Sequence, residues 1–204
     1  MQLVKATVLA SSNRGKLAEF QALFGELDIR LIPQGHLDIE SVDEQGKTFV
    51  ENALYKARHA AKQSGLAAIA DDSGLSIDIL NGAPGIYSAH YAGTHGDDAA
   101  NIAKVLGEMR NVVDTQRSAH FHCCLVFVRD AEDQQPMVCS ADWHGQILTA
   151  PQGKGGFGYD PIFYVPTHNY SAAQLDPMVK NRISHRGQAM QLLQSKLQQI
   201  LTYF

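Results

Sequence analysis

The chain has 204 residues, 45% apolar and 19% charged, with 17 Gly and 7 Pro, a balance that buries one substantial core and excludes a disordered or fibrous protein. Seventeen Lys and Arg against 21 Asp and Glu leave a net charge of −4, which excludes a coat for polyanionic nucleic acid, because that role depends on clustered cations. No stretch approaches the roughly 18 apolar residues of a membrane span, and Met1 to Ala6 lacks the features of a secretion signal, so a cytoplasmic address without a membrane partner is expected.

In chain order, Leu3 to Ala10 reads as a short apolar strand. A polar run from Ser11 to Lys16 then leads into a helix whose face is Leu17, Phe20, Leu23 and Phe24, with Gly25 as its stop. An acidic segment precedes a second helix over Thr48 to Ser64, where Phe49, Val50, Ala53, Leu54, Ala57 and Ala61 recur at helical spacing. Leu66 to Ala70 reads as a buried strand running into Asp71-Asp72-Ser73-Gly74, and Leu75 to Leu80 as a further strand closed by Asn81-Gly82. Gly82-Ala83-Pro84-Gly85 is a tight loop, Asp97 to Met109 a helix, and Phe121 to Val128 with Met137 to Trp143 a strand pair. Cys123, Cys124 and Cys139 form no CxxC pair and lie in apolar runs, which suits reduced thiols in a core and argues against zinc. The glycine-dense stretch from Gly153 to Pro161 is a loop or linker, and a helix from about Gly187 to Tyr203 closes the chain. Strands and helices alternate irregularly, so the expected fold class is α/β with a mixed sheet.

Four places carry the residue types that chemistry needs. Ser11-Ser12-Asn13-Arg14-Gly15-Lys16 lies between strand and helix, where free N–H groups and the helix dipole attract anions; the plainer alternative is that Ser12 or Asn13 caps the helix. Asp71 and Asp72 follow an apolar strand and require a compensating cation; Mg²⁺ suits such carboxylates together with phosphate, and Asp43 or Glu44 would complete its site, the alternative being an ordinary Asp-Ser-Gly turn. Thr48 and Glu51 form a capping box, and Lys56 points either to phosphates or to solvent. Phe157-Gly158-Tyr159-Asp160 offers an aromatic ring to a flat base, or else a plug for the core. Lys180, Ser184, His185 and Arg186 gather donors that match the 6-keto oxygen of hypoxanthine, xanthine or guanine, whereas the 6-amino group of adenine would set donor against donor.

Taken together these motifs resemble the inosine triphosphate pyrophosphatase family, the house-cleaning dITP/XTP pyrophosphatases. The carriers are Ser11 to Lys16, Thr48 to Ala53, Ala70 to Leu75, Gly82 to Gly85, Gly155 to Pro161 and Ile183 to Arg186. The resemblance implies a long central mixed sheet flanked by helices, two lobes enclosing a substrate cleft, and one pyrophosphatase domain over residues 1–204. It further implies a homodimer, Mg²⁺ dependence, and conversion of non-standard purine triphosphates (ITP, dITP, XTP) to monophosphate and pyrophosphate. By the same resemblance Ser11, Ser12, Asn13, Arg14, Gly15 and Lys16 hold phosphates, with Lys56 as a further cation. Asp72 is the catalytic acid–base residue and a metal ligand, Glu44 a second metal ligand, and Ser73 a substrate contact. Phe157, Gly158, Tyr159, Asp160, Lys180, His185 and Arg186 hold the base and sugar. One departure is His90, where the family usually places arginine; a titratable group replaces a permanent cation, so binding there would weaken as pH rises. The competing expectation is a sensing module that binds purine triphosphates without cleaving them, and the adjacent Asp71 and Asp72 speak against it.

Overall fold

The computed structural model describes residues 6–24 and 29–202, apart from the side chains of residues 14, 23, 24 and 200–202. The expected strand start at Leu3, the helix stop at Gly25 and the end of the last helix near Tyr203 lie outside the described residues. Strands β1 (Ala6–Leu9), β2 (Arg30–Pro33), β3 (Ala67–Ile77), β4 (Ser118–Val128), β5 (Met137–Ile147), β6 (Phe163–Val165) and β7 (Tyr170–Ser171) form one sheet in the order β2-β1-β3-β4-β5-β6-β7. β1 pairs in parallel with β2 and β3, whereas β5 with β6 and β6 with β7 are antiparallel, so the sheet is mixed as expected. Helices α1 (Arg14–Phe24), α2 (Phe49–Ser64), α3 (Asp98–Glu108), α4 (Pro177–Ile183) and α5 (His185–Thr202) complete the α/β pattern. Among the described residues no helix is long and apolar enough to cross a membrane.

Two compact units divide the chain, the first made of residues 1–72, 123–141 and 186–204 and the second of residues 73–122 and 142–185. In the first unit side chains alternate strictly between two cores, as a strand's two-residue period demands. Leu9, Ala67, Ile69, Cys123, Leu125 and Phe127 join Phe20 of α1 and Ala189, Met190, Leu193 and Leu197 of α5. Their neighbours Val8, Ala68, Ala70, Cys124, Val126 and Val128 instead meet Ala53, Ala57, Ala60 and Ala61 of α2. Strands buried on both faces read as unbroken apolar runs, and these do. Cys123, Cys124 and Cys139 are buried free thiols.

Helix α2 owes its ends to its sequence. Thr48 accepts from Glu51 N at 3.2 Å, and Gly65, left-handed at φ +68, returns its N–H to Ala61 O at 2.9 Å. The expected capping box is displaced by one residue, because the Glu51 carboxylate takes Lys47 N at 2.6 Å.

The second unit has its own core, in which Leu75 and Ile77 of β3, Val105 and Met109 of α3, Phe121, Trp143, Ile147, Tyr159, Phe163 and Val165 are buried together. Buried Arg117 is satisfied by carbonyls, through Nε to Ile147 O at 2.6 Å, Nη1 to Met109 O at 2.9 Å and Nη2 to Leu148 O at 2.9 Å, which closes the end of α3 onto the end of β5. Gly145 lets β6 approach, since a Cβ there would stand 2.4 Å from Tyr164 O.

Two expectations are corrected. Asp71-Asp72-Ser73-Gly74 is no turn between strands, because β3 runs without interruption from Ala67 to Ile77 and only then enters a 3₁₀ turn over Asp78–Leu80; its place within the sheet overrides the local turn chemistry. The final helix begins at His185 and not Gly187, so His185 and Arg186 belong to its first turn.

The β4–β5 connection is held by Asp133. Its carboxylate accepts from Arg129 N and Nε, both at 2.9 Å, from Arg129 Nη2 at 2.5 Å and from Gln135 N at 2.9 Å. The Arg129 hydrogen bonds, against a smaller opposing effect of burial, hold this carboxyl well below the usual carboxylate range. Such a group stabilises the fold above its unfolded pKa of about 3.9 and loses that contribution as pH falls through its folded value. Asp133→Asn is therefore expected to lower Tm at pH 7, and the gap to wild type is expected to narrow steadily below about pH 4; thermal melts across that range measure it, and a gap that widens in acid refutes the assignment.

Candidate active site

Because successive residues of a strand face opposite sides, β3 presents its two adjacent carboxylates to different helices. Asp71 follows the parity of Ile69, toward α1 and α5, and Asp72 follows that of Ala70, toward α2. Asp71 Oδ2 accepts from Lys16 Nζ at 3.0 Å and from Arg186 Nη2 at 3.2 Å and Nε at 3.3 Å. Arg186, only 2% exposed, also pairs with Glu19 of α1. Burial opposes ionisation of Asp71, but Lys16 and Arg186 outweigh it and hold the carboxyl well below the usual range.

Asp72 has the contrary environment. Its Oδ2 accepts from Asn52 Nδ2 at 3.0 Å, and its Oδ1 lies 3.6 Å from Lys56 Nζ. Burial, with the nearby charge of Glu44, pushes the Asp72 carboxyl up despite Lys56, Lys16 and Asn52. Lys56 in turn donates to Glu44 Oε1 at 2.5 Å. Burial works against the Lys56 charge, yet the carboxylates of Asp72, Asp71 and Glu44 keep the ammonium protonated above its ordinary range. Lys56 thus faces neither solvent nor a remote anion; it stands between the two carboxylates expected to take a metal. A cation is therefore already accommodated between Glu44 and Asp72, and their hard oxygen donors suit Mg²⁺. Among the described residues no group of three or more His, Cys, Asp and Glu side chains gathers closely enough to hold a metal by itself.

The loop after β1 feeds directly into α1, which starts at Arg14, earlier than the expected Leu17. Asn13 caps it, its Oδ1 accepting from Lys16 N at 3.1 Å, so the plainer reading of Asn13 holds as geometry. Gly15 and Lys16 occupy the first helical turn, where the Lys16 N–H is taken by the Asn13 cap. The Arg14 side chain lies outside the described residues. Ser11 Oγ accepts from Asn13 N at 3.3 Å, and Ser12 Oγ accepts from Ser41 Oγ at 3.4 Å, which in turn accepts from buried Gln34 Nε2 at 2.9 Å.

In the second unit the glycine-rich segment is built around the carboxylate of Asp160. Asp160 Oδ2 accepts from Phe157 N at 2.9 Å and from Lys180 Nζ at 2.5 Å. Gly156, at φ +71, has no room for a Cβ, which would stand 2.0 Å from that same oxygen. Phe157 is half-buried, with the Lys180 ammonium 4.9 Å from its ring centroid, a cation–π distance. Tyr159 is buried and donates to Ser88 O at 2.9 Å. Gly158 N donates to Asp98 Oδ2 at 2.7 Å. His185 is buried and stacks on Phe121 at 4.7 Å between centroids and 10° between planes. Ser73 is a half-buried strand residue of this unit. His90, exposed, lies against Tyr87 and His95.

The structure therefore groups Lys16, Lys56, Glu44 and Asp72 in the first unit, and Phe157 to Asp160, Lys180 and His185 in the second. Arg186, expected with Lys180 and His185, falls in the first unit, where it is paired with Asp71 and Glu19. Asp160 and Tyr159 act on protein atoms as loop anchors. Asn52, which accepts from Gly46 N at 2.8 Å while donating to Asp72, lies in the Thr48 to Ala53 motif but was given no role from the sequence; its signal was a polar residue beside the apolar stripe of α2. Glu19 and Ser41 carried no such signal.

Residues 7–196 match the model of the Ham1 family. A dITP/XTP pyrophosphatase of Coxiella burnetii is 53% identical over 93% of this chain and 95% of its own length. One from Escherichia coli strain K12 is 51% identical over 93% and 96%. A solved Ham1 structure from Coxiella burnetii superposes with TM-score 0.88 at 52% identity, covering 95% of this chain and 98% of that one. The Staphylococcus aureus Ham1 protein gives TM-score 0.84 at 42% identity over 95% and 98%. With a family match over nearly its whole length and relatives this similar, the chain belongs to the Ham1 family.

Proposed function

We propose that this chain hydrolyses non-standard purine nucleoside triphosphates, those of inosine, deoxyinosine and xanthosine, to the monophosphate and pyrophosphate. The observation that carries the reading is the division of labour along β3. Asp71 is committed to Lys16 and Arg186 as a buried counter-ion, while Asp72, on the other face, meets Asn52, Lys56 and Glu44. A pure triphosphate binder has no use for carboxylates beside its anion, whereas a hydrolase needs one to direct water. The relatives that carry the dITP/XTP pyrophosphatase name support the same substrate class.

Asp72 and Glu44 would hold Mg²⁺, which when bound neutralises charge on phosphate oxygens. Asp72 orients and deprotonates the water that attacks the α-phosphorus, and Asn52 fixes the direction in which its carboxylate points. The Lys16 ammonium and the positive end of the α1 dipole meet the charge on the triphosphate tail. Phe157 stacks on the purine, and Lys180 with His185 supplies donors toward the 6-keto oxygen, which leave adenine's amino group opposed. A cytoplasmic homodimer that does not bind nucleic acid completes the proposal, its net charge of −4 agreeing with the last point.

Asp72→Asn is expected to cut kcat by about 10² to 10⁴ with an unchanged Tm, the range general-base removal produces. The assay is xanthosine triphosphate with Mg²⁺ and separate detection of pyrophosphate and orthophosphate. Near-normal turnover refutes the role of Asp72; wild-type binding without any release favours a sensor, and orthophosphate as first product favours a phosphatase. Phe157→Ala is expected to raise KM roughly tenfold, within the cost of losing one base–aromatic stack, and to leave inhibition by inorganic tripolyphosphate unchanged. Steady-state kinetics against both ligands decides it, and an unaltered KM removes Phe157 from the base site.

A further inference from the structure

Phe157 stands in a segment without helix or strand, so individual ties set its attitude. Gly155 N donates to Ala173 O at 3.0 Å, Phe157 N to Asp160 Oδ2 at 2.9 Å, and the Lys180 ammonium lies 4.9 Å from the ring centroid. A separate tie arrives from another element: Asp98, in the first turn of α3, accepts the N–H of Gly158, the residue that follows Phe157, at 2.7 Å across 60 residues of chain.

That carboxylate is not occupied in capping its own helix. The N-cap is Asp97, whose Oδ1 accepts from Ala100 N at 3.0 Å. Helix α3 is itself fixed to the turn over 85–91: buried Asn101 accepts from Ala92 N at 2.7 Å and donates to Ala89 O at 3.4 Å, while Lys104 donates to Tyr91 O at 2.7 Å. Asp98 therefore connects a firmly held helix to a segment that has little regular structure of its own. A charge-assisted bond from a carboxylate to a backbone N–H is shorter and stronger than a neutral one, and it acts one residue from the ring.

We propose that Asp98 is a positioning residue for purine binding, which through Gly158 keeps the Phe157 ring in the attitude that stacks on the base. The inference rests on the reading of Phe157 as the stacking platform. Asp98 itself touches no reacting atom, so its removal is expected to weaken base binding and spare the chemical step.

The test compares Asp98→Ala, which deletes the acceptor, with Asp98→Asn, which removes the charge and keeps an oxygen able to accept the same N–H. Asp98 is exposed and Asp97 still caps α3, so both variants should fold, and Tm is measured for each. Expected for Asp98→Ala are an increase of about fivefold in KM for xanthosine triphosphate and in Kd for inosine monophosphate, with kcat within about twofold of wild type. Inhibition by inorganic tripolyphosphate, which has no base, should be unchanged, and Asp98→Asn should recover most of the loss. The proposal is overturned if Asp98→Ala binds like wild type, if Asp98→Asn is equally impaired, or if tripolyphosphate weakens in parallel. Phe157→Ala separates the two levels of the argument. If it raises Kd for the monophosphate and Asp98→Ala does not, only the role of Asp98 falls; if it changes nothing, the stacking platform falls and the inference with it.

Discussion

Everything in the first unit is arranged around one electrostatic constraint: a carboxylate without solvent must find cations. Asp71 lies in a strand whose faces are covered by helices, and ionisation there is sustained only because Lys16 and Arg186 converge on one of its oxygens. Those partners come from α1 and α5, so the ion cluster also fixes where the two helices meet the sheet. Replacing such a cluster with apolar residues can leave stability intact, whereas removing one member exposes a buried charge at a cost of about 3–5 kcal/mol. Its persistence makes sense if Lys16, which it orients, must also face a triphosphate. Asp72, one residue on, faces the other way, toward Asn52 and Lys56.

The second unit solves a different problem, how to hold a flat ring on a chain segment that glycine has made pliable. Asp160 answers it from inside, with Phe157 N and Lys180 on one oxygen. Gly156 is required there because the carboxylate occupies the space a side chain would take. The aromatic column of Trp143, Phe121 and His185, with Phe121 and His185 nearly coplanar in orientation, places the histidine by packing. Both sites therefore place functional groups by contacts with neighbours that have no chemical role of their own.

Much of this was legible in the sequence because it depends on local periodicity. The apolar stripe of α2, its Thr48 start and Gly65 stop, and the alternation of apolar strands all follow from two- and 3.6-residue repeats. Asp71-Asp72-Ser73-Gly74 misled because its residues favour turns, whereas in the sheet they continue the strand that begins at Ala67. The ion pairs of Arg186 were not legible for a geometric reason: adjacent helical residues diverge by about 100°, so a guanidinium next to His185 in sequence need not share its surroundings. Its partners Asp71 and Glu19 lie 115 and 167 residues away, a separation that no local pattern reports. Asn52 was hidden because one polar residue beside an apolar stripe looks like an accident of composition until its two partners are seen.

The uninterrupted run of β3 has an evolutionary corollary. Since one carboxylate looks toward α1 and α5 and the next toward α2, inserting or deleting a single residue between Ala67 and Asp71 would turn each to the opposite face of the strand. An insertion would turn Asp71 toward Asn52 and Lys56, and a deletion would bring Asp72 to the place between Lys16 and Arg186. The dipeptide is locked in phase with the helices on either side, so the length of the strand before it matters as much as its composition.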